Sequence, residues 1–306
     1  DHARAARSIE EVADLGERLG DSHHITRRWF YLGWIALSDG RFAEARDLLE
    51  RSAAALERFG DPAAEAYGEI CLGLIGVWEG TGERALERLQ SQFERSLKLG
   101  TGAVIPMLMV AIASADLAAG RFAEARDRLA GLVPLVEGRD AYSAMWSLCM
   151  LAEAQRLLAD DAAEPTAVRA QALGERIGNA LLATRARYTL GRLAAQRGDW
   201  PVARRHALAH LDACVEGAHA TYLPASVDAL AEVAAGLGAA RDAVRLFAAA
   251  ERSRAAIGVV RLPPEDDHWD SVERRLREAL GADAYEAARA EGADLTPATL
   301  RRYAVP

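Results

Sequence analysis

Asp266-Asp267-His268-Trp269-Asp270 places three carboxylates within five residues. That spacing could hold a divalent cation and, through it, a diphosphate. Asp160-Asp161-Ala162-Ala163-Glu164 is a looser echo. Such chemistry needs a second chelating set, Asn/Asp-x-x-Ser/Thr-x-x-x-Glu, on a facing helix, and the sequence contains none. The simpler expectation is electrostatic: carboxylates after Pro263-Pro264 suit the positive end of the next helix. His23-His24 could suggest a metal, but adjacent residues on a helix point apart, so a helix-start turn is expected. His206 and His210 stand four apart on one face, with no carboxylate or cysteine partner at metal spacing, and read as a surface face. Cys71, Cys149 and Cys214 are far apart, lack a CxxC pair, and read as small buried hydrophobes in a reducing compartment. Gly80-Thr81-Gly82-Glu83-Arg84 lacks the lysine of a phosphate loop and follows a helical stretch, not a strand. No catalytic residue, metal or cofactor is assigned; what remains is the chemistry of a binding surface.

The net charge of −8 argues against direct nucleic-acid contact, where a basic stripe is expected. Lys98 is the only lysine, so the basic residues are almost all arginine, a skew that fits a high-GC coding bias. No apolar run has the length of a membrane span and no signal peptide is visible, so a cytoplasmic location is expected. The chain opens on Asp1 without an initiator Met and reads as a segment of something longer.

The elements that must carry that surface are marked by glycine. Gly20, Gly40, Gly60, Gly80, Gly100, Gly120, Gly138, Gly178, Gly198, Gly217, Gly238 and Gly258 fall about twenty residues apart, and the missing beat lies on Asp160-Asp161. Between beats the apolar residues recur at i, i+3 and i+4, the helical period. Glycine is poor inside a helix and good just past its end, so each beat reads as a stop. Starts follow the stops: Asp21-Ser22, Asp61-Pro62, Asn179, and Asp199 with Pro201. Each segment is then a helix of about four to five turns. Two beats make one repeat of about forty residues. Gly40-Arg41-Phe42-Ala43-Glu44-Ala45-Arg46-Asp47 returns letter for letter at Gly120 to Asp127, which separates A-to-B turns from the others.

These residues are similar to the tetratricopeptide (TPR) pattern of a large residue, Leu-Gly, a turn glycine and a small residue early in helix B. Trp29, Leu32-Gly33, Gly40 and Ala45 match, as do Leu72-Gly73, Gly80 and Ala85, then Leu190-Gly191, Gly198 and Ala203, then Ala231, Gly238, Ala243 and Phe247. The resemblance implies an all-α, right-handed superhelical solenoid of antiparallel helix pairs over 1–258, with a C-terminal helical cap over 259–306. In the cap, helices are expected over about 266–280, 282–291 and 295–303. The string from Leu246-Phe247 through Ile257-Gly258, Leu262-Pro263-Pro264, Leu280-Gly281, Tyr285 and Glu291-Gly292 to Leu295-Thr296 resembles the end of the TPR-like region in bacterial AAA/STAND-type ATPase regulators, the large LuxR-type and antibiotic-regulatory-protein-type transcription factors. That resemblance implies a sensor region whose NTPase and DNA-binding domains lie elsewhere in the parent chain.

In such arrays the A helices line the concave face. The Leu-Gly register then directs Phe30, Trp34 and Leu37 inward from repeat one, and Tyr67, Leu74 and Trp78 from repeat two. Met107, Val110 and Leu117 follow from repeat three, and Met150 and Leu157 from repeat four. Repeat five supplies Arg185, Tyr188 and Arg192, and repeat six Asp228 and Glu232. All four methionines (Met107, Met109, Met145, Met150) lie in repeats three and four, where thioethers suit either an adaptable groove or ordinary core. The expected ligand is a small apolar or amphipathic inducer, or a protein segment, with Arg185 and Arg192 meeting a carboxylate or other anion. A scaffold without small ligand is the alternative. An all-α enzyme resembling class I terpene synthases, whose metal motif the first aspartates match, is the third.

Overall fold

The computed structural model describes residues 2–20, 22–59, 61–217, 219–261, 265–296 and 299–300; the side chains of residues 22–26, 57–59 and 181 are outside the description. The expected features at Gly60, Asp21, the His23-His24 side chains, Leu262-Pro263-Pro264 and most of the last helix therefore lie outside the described residues.

Among the described residues the chain forms fifteen α-helices and no strand. Helix α1 (His2–Leu19) precedes six antiparallel pairs: α2 (Ser22–Ser38) with α3 (Phe42–Phe59), α4 (Pro62–Trp78) with α5 (Gly82–Leu99), α6 (Ile105–Ala118) with α7 (Phe122–Val136), α8 (Ala141–Leu157) with α9 (Ala163–Arg176), α10 (Ala180–Gln196) with α11 (Trp200–Glu216), and α12 (Leu223–Gly236) with α13 (Ala240–Ile257). Then come α14 (Asp266–Leu280) and α15 (Ala282–Ala293). The glycine stops are physical: Gly40, Gly80, Gly120, Gly198 and Gly238, at the A-to-B turns, have φ between 74° and 81°. At the missing beat a non-glycine residue, Ala159, takes the left-handed conformation with φ of 54°. Gly217 departs from the pattern. Its φ is −83°, and a short 3-10 turn, Ala220–Tyr222, follows it. The starts are capped as their residue types require: Asp61, Asp140, Asn179 and Asp199 each accept a hydrogen bond from the backbone N–H three residues on.

Each helix packs on its neighbours in sequence, and the first helices of successive pairs also touch: α2 on α4, α4 on α6, α6 on α8, α8 on α10, α10 on α12. These first helices make an inner layer and their partners an outer one. The Leu-Gly signature explains how closely the layers approach. A Cβ on Gly73 would stand 2.7 Å from the Leu89 side chain, and one on Gly33 2.9 Å from Leu49. Leu49 and Leu89 are fully buried by that contact, worth about 1.5–3 kcal/mol each. Helices α14 and α15 extend the stack by packing on α13, with Trp269, Val272, Leu276 and Tyr285 buried against Leu246 and Phe247.

The two ends of the array meet. Thr221 Oγ1 donates 2.7 Å to the Leu37 carbonyl, across 184 residues of sequence. Val260 N–H donates 2.8 Å to the Trp78 carbonyl, and Ile257 and Val260 lie against Gly40 and Gly80. The segment after α13 therefore lies against the inner layer. Among the described residues no helix is long and apolar enough to cross a membrane.

Candidate functional site

The inner layer carries two cavities. The first, of about 350 Å³, lies beside the middle of α2 and the N-terminal halves of α4 and α8, with Phe30, Trp34, Tyr67, Met107 and Tyr142 among its walls. Tyr31, Tyr67 and Tyr142 are 45%, 36% and 40% exposed, so this cavity opens to solvent through an aromatic rim. Phe30 holds the rim together, with ring centroids 5.4 Å from Tyr31 and 6.4 Å from Tyr67. The second, of about 160 Å³, lies further along α4 and α8 beside the C-terminal segment and is the more enclosed of the two. Leu74, Trp78, Trp146, Met150 and Leu157 are its apolar lining; Glu153, Arg185, Asp228, Arg254, Arg261 and Glu265 are its charged lining, with Glu153 between Met150 and Leu157 on one face of α8. Val259, Val260 and Trp269, brought in by the C-terminal segment, complete the wall.

The residues expected to line one groove are thus divided. Phe30, Trp34, Tyr67 and Met107 border the open cavity, and Leu74, Trp78, Met150, Arg185 and Tyr188 the enclosed one. Val110 borders neither. It is 3% exposed and packs with Leu129, Val133 and Met145. Arg192 borders neither as well. Its guanidinium is ion-paired to Glu232 at 3.4 Å and to Glu265 at 3.0 Å, and stands 4.5 Å above the Trp269 ring. The methionines divide too: Met107 and Met150 reach cavities, whereas Met145 is wholly buried core. Several lining residues were outside the sequence reading, notably Tyr31, Tyr142, Trp146, Tyr222 and the C-terminal Glu265 and Trp269. Helical periodicity could have found Tyr142 and Trp146, one turn apart on α8; nothing local could have found the C-terminal pair.

The charged lining belongs to an ordered network. Arg156, 2% exposed, bonds Glu153 at 2.6 Å and Glu265 at 2.9 Å. Burial alone would raise the Glu153 carboxyl, but Arg156, with Arg185 and Arg192 behind it, outweighs burial and lowers it to about 2. Thr189 donates to the same carboxylate at 3.0 Å. Asp228, buried on α12, pairs with Arg254 and, at 3.3 Å, with Arg261. His268 bonds Glu232 at 2.7 Å. Glu265, His268, Trp269 and Arg261 thus fasten the C-terminal segment to α8, α10 and α12.

Arg185 stands apart from this pairing. Its guanidinium lies 5.2 Å from the Tyr222 ring centre and 6.0 Å from that of Tyr188, and it has no ion pair or hydrogen bond among the described residues. Trp78 closes the aromatic wall, edge-on to Tyr222 at 5.9 Å and stacked on Phe42 at 5.9 Å.

The other singled-out residues take structural places. Asp266, Asp267 and Asp270 are exposed in the first turns of α14 and line neither cavity. Among the described residues no group of three or more His, Cys, Asp or Glu side chains is placed to hold a metal ion. His210 is 2% exposed rather than on a surface face; its Nδ1 lies 2.5 Å from Ser226 Oγ, and burial, with Arg185 adding to it, pushes the imidazole down to about 3. Cys71, Cys149 and Cys214 are free and buried, and burial pushes their thiols up, to about 12 for the first two and about 11 for the third. No protein-family model matches this sequence, and comparison with curated proteins gives no significant match.

Proposed function

We propose that this chain is a TPR-like ligand-sensing region of a larger, cytoplasmic bacterial transcriptional regulator, and that it acts by binding rather than catalysis. The reading takes the helix pairs as a right-handed TPR-type solenoid over 1–258 capped by 259–306. The NTPase and DNA-binding domains would lie elsewhere in the parent chain. One observation supports the binding role: the inner layer holds cavities with apolar and aromatic walls, and one of them presents a half-buried arginine with no ion pair or hydrogen bond among the described residues. A packed scaffold has no use for either, whereas a ligand site is mostly apolar with a few placed polar groups. Support for signalling comes from the closed architecture. A ligand touching both the A helices and the C-terminal segment would bias how the ends of the array meet, which is how occupancy shifts a two-state element.

A second reading, a protein-segment scaffold without small ligand, is favoured by the open cavity, whose exposed tyrosine rim suits a side chain presented by another protein. A thermal-shift screen against apolar metabolites and their carboxylates, followed by tryptophan fluorescence, separates the two. A small molecule that raises the melting temperature by mass action and perturbs Trp34 or Trp78 supports sensing. A blank on well-folded protein favours the scaffold. Trp34→Ala and Trp78→Ala should weaken binding at the open and the enclosed cavity respectively, with helicity retained. Loss of helicity in both would make them packing residues and sink the assignment.

A further inference from the structure

The enclosed cavity carries information about its ligand in its volume, its walls and its charge balance. About 160 Å³ is close to the roughly 150 Å³ apolar cavity that holds one benzene. A single ring matches that volume. The apolar lining is built from two indoles, Trp78 and Trp146, with Met150 and Leu157. Flat aromatic faces and a polarizable thioether prefer an aromatic guest to an aliphatic one of equal size.

The charge balance is more selective. Glu153 is taken by Arg156, Asp228 by Arg254 and Arg261, and Glu265 by Arg156 and Arg192. Each carboxylate of the wall thus has a direct arginine partner, with Arg156 and Arg192 shared between carboxylates. Among the described residues Arg185 is the lining arginine with no ion pair or hydrogen bond, and its guanidinium stays protonated. Its field is felt by its surroundings: it adds to the lowering of His210 and offsets part of the rise that burial gives the thiols of Cys149 and Cys214. Tyr188 and Tyr222 fix it from the ring side, which leaves its planar fork of donors without a protein acceptor. One guanidinium without a direct acceptor calls for one negative charge. A dianion would bring a second charge beside Glu153, Asp228 and Glu265.

We propose that the enclosed cavity binds a single-ring aromatic monocarboxylate, its carboxylate on Arg185 and its ring among Trp78, Trp146, Met150 and Leu157. This rests on the ligand-sensing reading above and narrows it to one chemical class. The carboxylate would sit in contact with both α10 and the C-terminal segment.

The test compares benzoate with benzamide on the 306-residue chain, by calorimetry and by quenching of tryptophan fluorescence. The two differ little in shape and differ in charge. Benzoate should bind roughly ten- to hundred-fold tighter, the difference between a charge-assisted and a neutral hydrogen bond in a secluded site. Arg185→Gln should bring the two to equal affinity. That variant gives up two ring contacts and a longer-range attraction to Glu153 but no ion pair among the described residues, so circular dichroism should show its helices retained. Leu157→Phe, which fills the space beside the apolar lining and leaves Arg185 in place, should abolish binding of both. Equal binding of acid and amide by the wild type would overturn the carboxylate assignment while leaving ligand sensing intact. Failure of both to bind would overturn the single-ring assignment, and the broader screen, read at Trp34 as well as Trp78, would then judge the sensing reading by itself. Discrimination that survives Arg185→Gln would place the anion elsewhere and overturn the proposal.

Discussion

Arg156→Met removes the cation on which the buried network turns and leaves a side chain of similar length. Arg156 is 2% exposed and Glu153 12%, so neither is screened by water to any extent. Breaking a buried ion pair from one side strands the other charge and costs about 3–5 kcal/mol. The lowered Glu153 carboxyl, to which Arg185 and Arg192 also contribute, points the same way. It is lowered from 4.5 to about 2, and each unit is worth 1.36 kcal/mol, which makes about 3 kcal/mol of stabilisation at neutral pH. The two magnitudes agree. The sign follows from the depressed value: the contribution is complete above 4.5 and is lost as pH falls through 2. At pH 3 the wild type has forfeited about 2 kcal/mol of it, so the gap between wild type and variant should narrow by about that amount between pH 7 and pH 3. Urea unfolding followed by circular dichroism reads the midpoints. Stacked repeats need not unfold in one step, so amide exchange in α8 and α10 should show where protection is lost. A variant within about 1 kcal/mol of wild type at pH 7 would refute the argument. A gap unchanged at pH 3 would also refute it, showing that Glu153 is not held by Arg156.

His210→Asn tests the buried imidazole. With a folded value of about 3 against 6.5 unfolded, His210 stabilises the fold above 6.5 and loses that contribution as pH falls toward 3, so the wild type should lose about 2 kcal/mol between pH 7 and pH 5 that the variant does not; parallel pH profiles would exclude it. Trp269→Ala empties the place where Arg192, Arg261 and Phe247 meet the ring of a side chain only 1% exposed, at a cost of about 3–5 kcal/mol. Its loss should appear first as trypsin cleavage at Arg274, Arg275 and Arg277 of α14, and unchanged cleavage would mean that α14 is held otherwise.

The helices were legible because their ends are written locally. A glycine with positive φ and a capping Asp or Asn act within one turn, so Gly198-Asp199 or Gly178-Asn179 mark a boundary wherever they occur. The pairing of the layers was legible for a related reason: the Leu-Gly steps at Gly33 and Gly73 are where the second helix of each pair comes too close for a Cβ. Ala159 shows the limit, since a left-handed residue need not be glycine. The division of the groove was not legible. Periodicity places Trp34 and Trp78 on equivalent faces of successive repeats, but which cavity each borders depends on residues more than a hundred positions away. Arg192 is the sharpest case. Its register is that of Arg185 two turns on, and Glu232 of the next repeat together with Glu265 and Trp269 of the C-terminal segment make it structural.

That difference between the two arginines also bears on how the array could report occupancy. Glu265 and Trp269 wall the enclosed cavity and at the same time hold Arg156 and Arg192. The surface that would meet a ligand and the contacts that dock the C-terminal segment are therefore the same side chains. Two processes that share their contacts are linked: whatever fills the cavity and favours the docked segment must, by reciprocity, bind more tightly when the segment is docked. The open cavity has no such link, since Tyr31, Tyr67 and Tyr142 face solvent and the wall there includes no residue of the C-terminal segment. Occupancy of the open cavity would change local stability at α2 and α4. Occupancy of the enclosed one would be felt where the two ends of the array meet, and only that kind of site can pass a signal beyond itself.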